Sequence, residues 1–143
     1  MNKEFSLRDV FPLIEEQLNA GGSATFKIHG TSMLPFLSDM RDSVTVVAPT
    51  RRIRKHDVVL YRRCNGDFIL HRVVGRKKEV LLCRGDNQFE NERVFPEQVV
   101  ATVSEYERNG KRKSISSLTH RLYSLYWVNS VLLRRLLRKL RKR

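Results

Sequence analysis

The chain has 143 residues, 41% of them hydrophobic and 30% charged, with a formal net charge of +13. That is the length of one domain with enough apolar residues for a modest core, which excludes a disordered, collagen-like or low-complexity chain. Residues 111–143 hold 11 of the 28 basic residues and none of the acids, so residues 1–110, with 17 basic and 15 acidic groups, carry a net of only +2; any affinity for nucleic acid or an anionic surface belongs to the tail.

Residues 1–22 read as an N-terminal helical segment, with the helix over 6–20. Ser6 and Asp9 have the spacing of a capping box, Phe11, Ile14 and Leu18 fall on one face, and Gly21-Gly22 ends the run. Pro12 removes a backbone donor, so the regular part is expected to start there. Residues 23–108 change to strands: Ala24–Ile28, Ser43–Ala48, Asp57–Arg62, Asp67–Val74, Glu79–Arg84 and Gln98–Tyr106 are rich in β-branched residues and separated by turn residues. Asn65-Gly66, between two of them, signals a two-residue hairpin turn. Six short strands after one helix, with no strand–helix–strand alternation, predict a mainly β domain built on a compact, bent sheet. Residues 109–117 are polar and basic and read as a linker. Residues 118–143 read as one long basic amphipathic helix, with Leu122, Leu125, Leu132, Leu133, Leu136 and Leu140 on one side and arginines on the other. There is no internal repeat and no signal for an oligomer.

Two cysteines, Cys64 and Cys83, are too few for a disulfide framework and belong to no Cys/His cluster. They read as free thiols in a reducing compartment, and neither a metal nor another cofactor is expected. Charges interrupt every apolar run near the N-terminus, so no signal peptide is expected. No segment approaches the ~20 apolar residues that span a bilayer. The expected location is the cytoplasm, free or peripheral on the inner face of the membrane.

Polar residues stand out in three places where the strand pattern does not need them. The segment His29-Gly30-Thr31-Ser32-Met33-Leu34-Pro35-Phe36 puts a serine in a Gly/Pro turn, which can present a hydroxyl beside backbone N–H groups. His71 interrupts the run Phe68–Val74, and Arg84-Gly85-Asp86-Asn87 is a glycine turn directly after a strand. Taken singly, these are an ordinary turn serine, a strand histidine and a capped turn.

Taken together and in order, the three resemble the signal peptidase I family. GTSMLP is similar to the family's nucleophile box, HDVVLYRR to the strand before the base, HRVVG to the base segment and RGDN to its Gly-Asp-Asn segment. The matches cover about residues 24–106. The resemblance implies the compact β-fold of the signal peptidase and LexA catalytic type. It also implies serine endopeptidase activity on an extended peptide, with small residues before the cut. By that resemblance Ser32 is the nucleophile and His71 the general base, as in the archaeal and endoplasmic-reticulum branch, where His replaces the bacterial Lys. Their side chains are therefore expected to meet. The orienting acid is Asp86 or Glu92, with Asp86 preferred. Gly30, Thr31, Met33 and Pro35 are expected to form the oxyanion site and position substrate; Gly30 stands where many relatives have a serine.

No counterpart of that family's usual N-terminal membrane anchor is expected from residues 1–22. The tail is expected either to lie on an anionic membrane surface, with Tyr123, Tyr126 and Trp127 at headgroup level, or to pack on the body or a partner. A non-catalytic peptide-binding module of the same fold, and a membrane- or nucleic-acid-binding protein acting through the tail, are the alternatives. The near-neutral body argues against nucleic acid as the main partner.

Overall fold

The computed structural model describes residues 6–142; the expectations for residues 1–5 and for Arg143 fall outside the described residues. A helix, α1 (Leu7–Asn19), leads into β1 (Ser23–Lys27), β2 (Ser43–Val47), β3 (Val58–Arg62), β4 (Phe68–Lys77), β5 (Val80–Arg84), β6 (Glu92–Val94), β7 (Val99–Arg108) and β8 (Lys111–Ser114). Two further helices follow, α2 (Leu118–Asn129) and α3 (Val131–Arg141). The protein is mainly β, as expected, with one open antiparallel sheet ordered β1-β2-β7-β3-β4-β5-β6 and β8 added beside β7.

The sheet bends because its strands change partners along their length. β7 pairs with β3 through Val99–Thr102, then with β2 through Thr102–Glu107 and with β8 through Glu105–Arg108. Register shifts at Thr45/Val46, Leu60/Tyr61 and Val73/Gly75 add local twist. Strand β3 is buried on both faces, which explains its unbroken run Val58-Val59-Leu60-Tyr61. Val58 and Leu60 join a core with Phe11, Ile14, Leu18 and Phe36. Val59 and Tyr61 face a second core with Val73, Leu81, Cys83 and Val94. Cys64 is exposed and Cys83 buried, and both are free thiols.

Four local expectations are corrected. Helix α1 runs through Pro12 and starts at Leu7, where the Ser6 N–H and hydroxyl both donate to the Asp9 carboxylate. A proline this near the N-terminus removes one helical bond, and Phe11, stacked on Phe68 with ring centroids 4.1 Å apart, holds the segment down. The β3–β4 hairpin loop has three residues, Cys64 to Gly66, closed by the Arg63 N–H donating to the Asp67 carbonyl at 2.8 Å. Gly66 sits at φ 91°, the left-handed position such a loop requires. The 109–117 linker begins instead as a hairpin: Asn109 (φ 53°) and Gly110 (φ 78°) form a two-residue turn of the mirror-image type between β7 and β8. The long tail helix is divided at Ser130, which ends α2 and opens α3.

Candidate active site

The turn that carries Ser32 is held from two sides. On one side the Asp39 carboxylate accepts the Gly30 N–H at 2.7 Å, with Gly30 at φ 84°. That left-handed backbone suits glycine better than a residue with a side chain. On the other side the Asn87 N–H donates to the Ser32 carbonyl at 2.9 Å, and the Asn87 side-chain amide donates to the Thr31 carbonyl at 3.1 Å. The turn after β5 thus carries the turn after β1. Gly85 makes this approach possible: a Cβ there would sit 2.5 Å from the Ser32 carbonyl oxygen. With those carbonyls engaged, the N–H groups of Thr31, Ser32 and Met33 donate to no protein acceptor among the described residues. The turn thus leaves three backbone donors next to a half-exposed serine hydroxyl.

His71 projects from β4, opposite Val59 of β3. It is buried, and its Nδ1 lies 3.2 Å from the Tyr61 hydroxyl. That hydroxyl donates to Glu92 Oε2. Arg63 clamps the same carboxylate, with Nε 2.7 Å from Oε1 and a terminal nitrogen 3.2 Å from Oε2. Tyr61 has a single proton and gives it to Glu92, so its oxygen accepts from Nδ1–H. The network therefore assigns the ring proton to Nδ1 and leaves Nε2 bare. Burial pushes His71 down to about 4, against a smaller upward pull from the Glu92 charge, so the imidazole is neutral at pH 7. Burial alone would raise the Glu92 carboxyl, but the Arg63 and Tyr61 hydrogen bonds bring it below the usual range.

Ser32 and His71 line one cleft of about 510 Å³ together with Met33, Arg63 and Gln88. They share its wall, but no hydrogen bond joins the two side chains. The cleft runs between two strand edges. Among the described residues β1 pairs with β2 and no other strand, leaving one edge open. β4 pairs with β3 along Phe68–Arg72 but meets β5 only from Arg72 onward, so the other edge of Phe68–His71 is open too. Phe26–His29 and Phe68–His71 form the two walls.

The other expected residues divide. Met33 is buried in the core and reaches the cleft, whereas Pro35 is exposed and does not line it. Asp86, the preferred orienting acid, does not touch His71. Its two oxygens take Arg72 at 2.9 and 3.0 Å, and the Tyr123 hydroxyl donates to it at 3.0 Å. A buried carboxylate beside a buried guanidinium pairs with that first. The acid linked to His71 is Glu92, through Tyr61. The pattern concealed Tyr61, because a tyrosine in a strand core reads as packing.

Asp86 instead ties the tail to the body. Its carbonyl accepts Trp127 Nε1 at 2.7 Å. Arg72 also reaches His120 Nε2 and Ser124 Oγ, each at 3.1 Å, and His56 Nδ1 lies 2.7 Å from that same Ser124 hydroxyl. Tyr123 and Trp127 are consequently turned onto the body, not outward as headgroup anchors. Among the described residues no cluster of His, Cys, Asp or Glu is arranged to hold a metal ion. Compared with protein-family models, curated proteins and solved structures, the chain matches none.

Proposed function

We propose that the protein is a serine endopeptidase of the signal peptidase I type that cleaves a peptide held in extended form. The observation that carries this reading is the cleft shared by Ser32 and His71 between two open strand edges. An extended peptide there gains main-chain hydrogen bonds from β1 and β4, and its alternate side chains enter the apolar walls. Seated substrate brings the scissile carbonyl over Ser32, and the Ser32 hydroxyl and His71 come into contact as it binds. His71 Nε2 then takes the hydroxyl proton as Oγ adds to the carbonyl carbon, and the free N–H groups of the Ser32 turn receive the negative oxygen. The imidazolium so formed is stabilised at Nδ1 through Tyr61 and the Glu92 carboxylate, and it returns the proton to the leaving amine. Water repeats the sequence on the acyl-enzyme.

The absence of a direct Ser32–His71 bond favours one other reading, a peptide-binding module that performs no chemistry. Labelling with a serine-directed fluorophosphonate probe, together with cleavage of a peptide library biased to small residues, separates the two. Wild type should label and cut. Ser32→Ala and His71→Ala should each lose on the order of 10³-fold or more in kcat/KM, and the double variant should be little worse. Peptide binding with no labelling and no cleavage by the wild type would establish the binding module.

A further inference from the structure

The tail docks with its polar side inward. At 100° per residue, Tyr123, Ser124, Trp127, Arg134, Arg135 and Arg138 fall on one side of the α2–α3 arm. All of them contact the body or the arm's own docking face. The Arg134 guanidinium lies 3.9 Å from the centroid of the Trp127 ring and donates to the Asp86 carbonyl. Arg135 donates to the Phe89 carbonyl at 2.7 Å, and Arg138 lies over the Phe89 ring. The body calls for this face because Arg72, Asp86 and His56 need polar partners there.

The opposite side is a stripe of large apolar residues: Leu122, Leu125, Leu132, Leu133, Leu136 and Leu140, exposed by between 49% and 74%. Leu137 and Tyr126 widen it. So much contiguous exposed apolar surface marks a docking face. Arg121 and Lys139 border the stripe on one side and Arg141 on the other. No described helix is long and apolar enough to cross a membrane.

We propose that this outer face of α2 and α3 lies on an anionic lipid bilayer, with the leucines sunk to the acyl boundary and the flanking cations at the headgroups. Charge selects this occupant over a second copy of the chain. Face-to-face pairing of two tails, each with 11 basic residues and no acid from 111 onward, brings like charges together with nothing to offset them. Arg138, on the inner side of the arm, also lines a hollow shared with His71, Gln88 and Glu92. The surface is distinct from the Ser32 chemistry, and Ser32→Ala should bind it like wild type.

The test is flotation of the full chain with vesicles of phosphatidylcholine containing phosphatidylglycerol, against phosphatidylcholine alone, at low and high salt. Binding is expected on the anionic vesicles only and should weaken as salt rises. The variant L133S/L136S/L140S alters only exposed side chains and should keep the wild-type circular dichroism spectrum. It should bind at least about 10-fold more weakly. No binding of the full chain at low salt overturns the proposal. Undiminished binding by the folded leucine variant also overturns it, because charge alone would then suffice. A wild type that sediments as a dimer, made monomeric by the same substitutions, assigns the stripe to a second copy and overturns it as well.

Discussion

The Tyr61 hydroxyl has one proton and two polar neighbours, and the direction of that proton decides what His71 does. Given to Glu92, it fixes Nδ1 as the protonated nitrogen of the imidazole and leaves Nε2 without a proton, as the proposed base needs. Tyr61→Phe removes the acceptor at Nδ1 and frees the other tautomer. We expect kcat/KM to fall about 10- to 100-fold, mostly in kcat, with KM near wild type. Glu92→Gln should fall in the same direction, because Arg63 then faces a neutral partner and the imidazolium loses its distant charge. Steady-state kinetics on a cleaved peptide checks both, and unchanged kcat in Tyr61→Phe would remove Tyr61 from the mechanism. Gly85 acts through the backbone. A methyl 2.5 Å from the Ser32 carbonyl must push the nucleophile turn away, so Gly85→Ala should fail to label with the serine probe even where the chain folds. Ser32 and His71 stood out in the sequence as residue types in order, and Glu92 only as the second choice after Asp86. Tyr61 did not, since nothing in a β-branched run marks which hydroxyl will meet a histidine on the neighbouring strand.

Among the elements, six of the eight strands were legible because period-two patterning and turn residues mark them directly, whereas β6 and β8 were not read as strands. Partner switching was not legible: β7 reads as one ten-residue strand, yet it serves β3 with one end and β2 and β8 with the other. Asn109-Gly110 carried the same hairpin signal as Asn65-Gly66 but was followed by Lys111-Arg112-Lys113, whose charges concealed a strand. The tail packs on the body, one of its two expected placements, but with its other face inward. Leucines on one face of a helix predict burial of that face, but here the ion pair of Arg72 and Asp86 selects His120, Ser124 and Tyr123 instead. Asp86 is thus a strut between sheet and arm. Asp86→Asn leaves a fully buried guanidinium unpaired, and we expect a loss of about 3–5 kcal/mol in denaturant unfolding. Hydrogen exchange should accelerate first along α2. A variant as stable as wild type would show that the arm is held by other contacts.

For the whole molecule, acid should act through groups spread over both cores and the arm. Burial pushes His71 and His120 down to about 4, with the Arg72 charge adding to the effect on His120. An unfolded histidine takes its proton near pH 6.5, so between about 6.5 and 4 the unfolded chain binds protons that the folded chain refuses. Stability is therefore full above that window and falls as pH drops through it, by a few kcal/mol for each histidine at its lower end. Asp42 continues the decline below it. Burial alone would raise its carboxyl, but hydrogen bonds from Arg41, Asn109 and Ser38 bring it to about 2. Its contribution is present above the ordinary aspartate range and lost as pH falls toward 2. The three groups act in one direction, so unfolding free energy should decline steadily from pH 7 to pH 3, with no maximum on the acid side. His120→Gln keeps a hydrogen-bonding side chain beside Arg72 but cannot titrate. Denaturant titrations of this variant and of wild type should differ in slope between pH 6.5 and 4, with the shallower dependence in the variant. Parallel curves across that window would mean that His120 takes up its proton in the folded state without cost, and that the buried contact between α2 and Arg72 opens as it does so.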